Sequence, residues 1–284
     1  MIEQLKSNST LSMPVQIVGG TLLFFALSWA LSFVLPPAID WYDAFRPAAL
    51  KLLSGRSPYE IDGFFNPFWA LFPLMPLAIL PEAVGRAGLF LMSILCFSYT
   101  LHRLGGRLPA ILLILLSPPA IHGLLNGNID WMPLLGLLFP PWIGLFFVSI
   151  KPQIGIAIAI YWCFAEWQDH GFKGLFKMVA PFSVVFLISL LLFGLWPLRS
   201  SIELTLWWNA SLWPMSIPVG LALLVAAFRQ RNIDFALGAS PCLAPYILLH
   251  SWIIALFALV KRLPELTAAV VGLWILVGIR AFGG

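Results

Sequence analysis

Charge is what this sequence has least of. Its 284 residues include 16 Lys or Arg and 12 Asp or Glu, 10% charged, against about 25% in an ordinary soluble domain. That is too little polar side chain to clothe a water-soluble fold. A soluble enzyme, a nucleic-acid reader and a disordered regulator are excluded on this ground. The net charge is only +4, and the basic residues are scattered, as loop charges and lipid-phosphate anchors are, with no nucleic-acid surface. Cysteine is scarce too. Cys96, Cys163 and Cys242 fall in apolar stretches without metal-ligand spacing, so they read as small buried hydrophobes. There is no Gly-rich phosphate loop, no His-Glu-x-x-His zinc motif, no visible repeat and no low-complexity linker.

What is present is apolar: 61% of residues, with 23 Phe and 13 Trp and a mean hydropathy of +0.94. Backbone polar groups in hydrocarbon are satisfied only by helices or closed barrels. Barrel strands alternate apolar and polar residues, whereas stretches such as 22–35 and 182–195 are apolar on every side. The fold class is therefore all-α, a polytopic transmembrane bundle. At about 20 residues per span, the length allows about eight to eleven crossings.

The chain reads as one membrane domain, 1–284. A first span covers 15–35, kept as a retained helix because its apolar run is long for a signal peptide. A first non-cytoplasmic loop follows at 38–63. A broken-helix core occupies 64–165, where apolar runs are short and proline is dense, and C-terminal helices fill 178–282. Broken helices at membrane depth are tolerated where they line a cavity or are buried in protein, and one of the short Pro-rich segments is a candidate re-entrant loop. The N-terminus is placed inside.

Within the first loop, Phe45, Ala48, Ala49, Leu52 and Leu53 form a helical apolar stripe, ended by Gly55 and Pro58. Such a helix lies in the interface plane, its cations Arg46 and Lys51 meeting lipid phosphate. Asp40 and Asp43 precede it. A carboxylate at a cavity edge serves as a general base; the plain alternatives are a helix cap for Asp43 and a solvated loop residue for Asp40. His122, Asn126, Asn128 and Asp130 interrupt two apolar runs, either as polar groups facing a cavity or as an Asn-Gly turn. Lys151-Pro152-Gln153 breaks another run. It sets a cation at a helix mouth, either to hold an anionic headgroup with Gln153 or to snorkel. Asp234 and Glu265 read as helix caps.

Asp40-Trp41, Phe45-Arg46-Pro47 and Leu52–Tyr59 together resemble the first-loop signature of GT-C superfamily glycosyltransferases. The nearest branch is the bacterial polyprenyl-phosphate-sugar-dependent mannosyl- and arabinofuranosyltransferase-like group. Phe65–Leu71, Gly127-Asn128 and Lys151-Pro152-Gln153 are similar to its later elements, and the likeness covers about 15–165. It implies a GT-C-like bundle in a bacterial inner membrane that moves sugar from a polyprenyl-phosphate donor to a glycan or lipid acceptor. Asp40 or Asp43 would be the catalytic acid residue, Arg46, Lys151 and Gln153 would hold the donor phosphate, and no cofactor, metal, nucleotide or protein partner is implied. A secondary transporter and a non-catalytic scaffold are the rival classes.

Overall fold

The computed structural model describes residues 13–199 and 209–282, and helix is the only regular secondary structure among them. Trp207 and Trp208, the centre of a tryptophan-rich interval, fall outside the described residues. α1 (Met13–Ser32) has 20 residues, about 30 Å of rise, which matches the hydrocarbon thickness. Only Ser28 is buried along it, its hydroxyl returned to the Phe24 carbonyl at 2.8 Å. An apolar helix with nearly every side chain outward is stable in lipid and not in water.

Three more helices are long and apolar enough to cross a membrane: α4 (Glu82–Arg103), α9 (Pro152–Phe193) and α13 (Leu263–Phe282). α5 (Leu108–Leu115) and α6 (Pro118–Asn126) make a further candidate crossing, bent by 59°. Pro118 and Pro119 open α6 and break the helical hydrogen bonding. The carbonyl of Leu116 at the bend accepts from the Trp274 indole at 3.2 Å, satisfying an exposed acceptor. Among the described residues there are four such helices, five candidate crossings counting the bent pair and α9 as one each, against the eight to eleven expected. The apolar runs at 64–80 and 131–150 fold as short pieces: a 3₁₀ turn at Phe68–Leu71, α3 (Met75–Ala78), α7 (Trp131–Leu135) and α8 (Pro141–Val148).

α7 and α8 form a hairpin. Its two ends meet where Asp130, before α7, bonds Lys151, after α8. Its tip, Pro141 and Trp142, borders a shallow pocket with Glu166 and Lys177. As an unbroken rod, the 42 residues of α9 would measure about 63 Å, twice the hydrocarbon thickness. Gly171, at φ 64° and ψ −163°, divides it into 152–170 and 172–193, a conformation that L side chains avoid. The polar stretch 166–177 between the core and the C-terminal helices is thus helical, with a one-residue break. α10 (Ile217–Gln230) and α11 (Ile233–Leu243) pack on α9. The cap of α11 is Asn232, whose side chain accepts from the Asp234 N–H at 2.9 Å; Asp234, the expected cap, is the second residue of the helix. α12 (Ile253–Phe257) leads into α13. One core cluster runs from Ala38 to Val270.

Charges divide between the two ends. The first loop is tied to the start of α4: the Trp41 indole donates to the Glu82 carbonyl at 3.2 Å, and Arg46 pairs with Glu82 at 3.7 Å. Residues 172–193 finish against this loop, Phe193 lying 5.6 Å from Tyr59 between ring centres. The far end therefore holds the Arg103–Arg107 turn, Lys261 packed beside Gly105, and the Gly171 break, where Arg231 bonds Asp169 at 2.6 Å. Arg103, Arg107, Lys173, Lys177, Arg229, Arg231, Lys261 and Arg262 gather there. In the first loop, Lys51 and Arg56 are instead spent on Glu60, at 2.6 and 2.9 Å. The Lys51 hydrogen bond, with Arg56 nearby, holds that carboxyl below its ordinary value.

The positive-inside rule assigns the cation-rich end to the cytoplasm. In a variant with the three native cysteines replaced, Ser57→Cys should react with an impermeant maleimide in intact cells. Lys173→Cys should react only after permeabilisation, and the reverse pattern would invert the orientation.

Candidate functional site

The site is built where α6 ends. Gly127 takes the left-handed conformation (φ 71°, ψ 34°) that terminates α6. The N–H of Asn128 bonds the Gly123 carbonyl at 2.9 Å, the hydrogen bond of a Schellman ending. The backbone of Asn128 is thereby spent on the cap and its side chain is freed for the interior. A Cβ on Gly127 would lie 3.0 Å from both Ala38 and Trp41, so this turn sits directly against the first loop. Asp40 opens a π-helical turn, Asp40–Phe45, that runs without a break into α2 (Arg46–Leu53).

Asn128 is the hub. Its Oδ1 accepts from the Lys151 ammonium and from the Ile129 N–H at 2.7 Å. Its Nδ2 donates to Asp40 Oδ2 at 2.6 Å and faces His250 Nε2 at 3.2 Å. With both amide hydrogens committed as donors, Nε2 must accept, which places the ring proton on Nδ1. Nδ1–H then donates to Asp130 Oδ2 at 2.6 Å. Asp130 also accepts from the Ser251 hydroxyl at 3.2 Å and from Lys151. Asn128, Asp130, Lys151, His250 and Ser251 are all buried, and Asp40 is half-buried at the rim.

Local sequence explains the aim of each group. Pro152 at the first position of α9 holds Lys151 extended, at φ −134° and ψ 92°, because proline disfavours helical geometry in the residue before it. The lysine side chain therefore leaves the helix axis toward Asp130. Asn66 supports the same corner, its amide donating to the Ile150 carbonyl at 2.8 Å. His250 stands on a 3₁₀ turn, Leu249–Trp252, and reaches α6 because Gly123 has no side chain; a Cβ there would be 3.1 Å from His250 Cβ.

The sequence candidates divide into three groups. Asp40, Asn128, Asp130 and Lys151 come together. His122 and Asn126 flank them: the His122 ring stacks on His250 at 5.6 Å, and the Asn126 amide lies 3.2 Å from His122 Nε2. Asp43, Arg46 and Gln153 stand apart. Asp43 is exposed inside the π-helical turn, and since that turn continues as helix there is no free first turn for it to cap. Arg46 turns to the Leu80 carbonyl at 3.5 Å and to Glu82. Gln153 is half-buried in the first turn of α9. The ammonium of Lys151 bonds Asp130 and Asn128 in the interior.

Sequence reading passed over His250, Ser251 and Arg86. Each lies within an apolar run taken as a span, and a polar or ionisable residue inside such a run is itself a functional signal. Among the described residues no three His, Cys, Asp or Glu side chains converge as a metal-binding set. The chemistry open to this arrangement is proton transfer and hydrogen bonding at Asp40, its carboxylate steered by Asn128, which is fixed in turn by the Asp130–Lys151 pair.

Breaking a buried ion pair leaves a bare charge and costs about 3–5 kcal/mol. Lys151→Met should lower stability by about that much in denaturant melts, and Lys151→Met combined with Asp130→Asn should recover a good part of it. Gly127→Ala should cost at least about 1–2 kcal/mol from the left-handed backbone alone, read as a lower melting temperature. Comparison with known protein families, with characterised proteins and with solved structures finds no match to this chain.

Proposed function

We propose that the chain is a membrane glycosyltransferase of a bacterial inner membrane. It would transfer a sugar from a polyprenyl-phosphate donor to an acceptor hydroxyl on the non-cytoplasmic face. The observation that carries this reading is the placement of Asp40. The first loop sets its carboxylate at the rim of a buried polar network, with Oδ2 anchored by Asn128 and Oδ1 free of hydrogen bonds among the described residues. In the reaction, the acceptor oxygen attacks the anomeric carbon, and the bond from that carbon to the phosphate oxygen breaks. The polyprenyl phosphate leaves with the electron pair, and the acceptor proton passes to Asp40. Lys151, Asp130 and His250 act on this step through Asn128, as positioning residues. Of the two acidic candidates, the geometry favours Asp40 over the exposed Asp43.

A proton-coupled transporter is the second reading. One observation favours it: an Asp–Lys–His set buried in a membrane bundle is the kind of group used in proton relays. The two readings separate in one experiment on purified protein in lipid nanodiscs and proteoliposomes. Wild type should transfer labelled sugar from a panel of polyprenyl-phosphate sugars. Asp40→Asn, which preserves shape and the contact with Asn128, should lower the rate by about 10²–10⁴, the usual worth of a general base. Asp43→Asn should stay within a few-fold of wild type. A folded wild type that transfers nothing but accumulates solute when a proton gradient is imposed, and not without one, would replace the first reading with the second.

A further inference from the structure

Arg86 is a buried charge with no opposite charge beside it among the described residues. It lies one turn into α4 and is 2% exposed. One guanidinium nitrogen, Nη2, donates to the Leu125 carbonyl at 3.0 Å. Nε and Nη1 are buried without a hydrogen-bond partner. The guanidinium lies 5.5 Å above the Phe90 ring. A buried cation with two idle nitrogens is costly, and a carbonyl at the end of α6 compensates only part of it. Such a group is stable in place when an anion completes it.

The surroundings say which anion. On one flank Arg86 is walled by Phe90, which is half-buried, and by Leu125, which is 38% exposed. An apolar wall on the flank of a membrane helix admits a ligand with an acyl or prenyl chain, whose charged group can then meet the guanidinium. Guanidinium nitrogens in a planar fork match two oxygens of one phosphate. The position is also tied to the loop that carries Asp40. The Trp41 indole bonds the Glu82 carbonyl one helical turn before Arg86, and Leu125 precedes the Gly127 turn that packs on Trp41.

We infer that Arg86 is the phosphate-binding residue of this site, taking the phosphate group of a lipid through Nε and Nη1. The assignment rests on the transferase reading for its role in catalysis. In that role it receives the negative charge that appears on the leaving phosphate while the negative charge of Asp40 is cancelled by the acceptor proton. Binding itself needs only the geometry, and it gives Arg86 the part that the sequence pattern offered to Arg46, Lys151 and Gln153, whose contacts lie elsewhere.

The test is binding of decyl phosphate to the full chain in uncharged lipid nanodiscs, with decanol and inorganic phosphate as controls. Wild type should bind decyl phosphate and not decanol. Arg86→Gln should weaken binding at least tenfold, Arg86→Lys should fall between, and Arg103→Gln at the opposite end should match wild type. Competition by inorganic phosphate at equal concentration would make the ligand a free phosphate, and its failure to compete would make it a lipid; either result keeps the anion site. If Arg86 serves only to cap α6, Arg86→Met will melt below wild type without ligand. As a ligand group, its replacement should melt at or above wild type and lose the shift given by decyl phosphate. Should the variants not fold, a photoactivatable alkyl phosphate on wild type must label 82–90 or 122–126, and labelling elsewhere overturns the site. No binding by wild type, or binding by Arg86→Gln within twofold of it, also overturns the site. Phosphate binding through Arg86 without sugar transfer removes the transferase reading alone. Transfer that is indifferent to Arg86→Gln removes this inference alone.

Discussion

The pairing of Asp130 with Lys151 is the constraint on which the centre of this molecule depends. Two opposite charges taken into an apolar interior are stable only together and only with their remaining hydrogen-bonding capacity met. Here His250 and Ser251 fill the other sites on the carboxylate, and Asn128 takes a second proton of the ammonium. The pair also has a topological consequence. Because its members flank the α7–α8 hairpin, satisfying the charges forces the ends of that hairpin together. The start of α9 and the end of α6 are thereby brought to one point.

From that point the structure radiates outward with decreasing polarity. Asn128 is held on its oxygen side by Lys151 and on its nitrogen side by Asp40 and His250, so its amide cannot rotate without losing bonds on both sides. This rigidity is what a positioned carboxylate requires. The first loop closes over the network through backbone proximity at Gly127 and the indole of Trp41. Farther out, α1 and the distal part of α13 carry side chains that only lipid would stabilise.

Proline opens several of the short and bent helices, α3, α6 and α8 among them, while the break in α9 falls at Gly171. Proline removes a backbone donor wherever it enters a helix, and in hydrocarbon the orphaned carbonyl needs a protein partner. Carbonyls at the ends of these helices likewise take side-chain partners: Trp274 for Leu116, Asn66 for Ile150, and the Trp69 indole for Phe146 at 2.9 Å. The irregular core is therefore bought with specific side chains from distant parts of the chain, and it can exist only where those parts meet.

Much of the class was legible without coordinates. Composition pointed to a membrane protein, since so few charges leave no other solvent for the surface, and runs apolar on every side pointed to helices over a barrel. The first span, the amphipathic α2 and its end near Gly55, the breaks at Pro118-Pro119 and before Pro152, and the oddity of Asn128, Asp130 and Lys151 were all readable as local conflicts between polarity and hydrophobic run. The number of long helices was not, because an apolar run of 17 residues containing several prolines looks like a span and folds as short turns. Nor was the partner of Lys151. A lysine at a helix mouth reads the same whether it faces water, phosphate or a carboxylate, and Asp130 is distinguished only by the hairpin that returns the chain to it. His250 and Arg86 were hidden for the same reason: what makes each significant is a neighbour 120 or 39 residues away in the chain. Local sequence decides whether a residue is out of place in lipid; the tertiary fold alone decides what it is in place for, because hydrogen bonds and charge pairs in the interior are made across the chain.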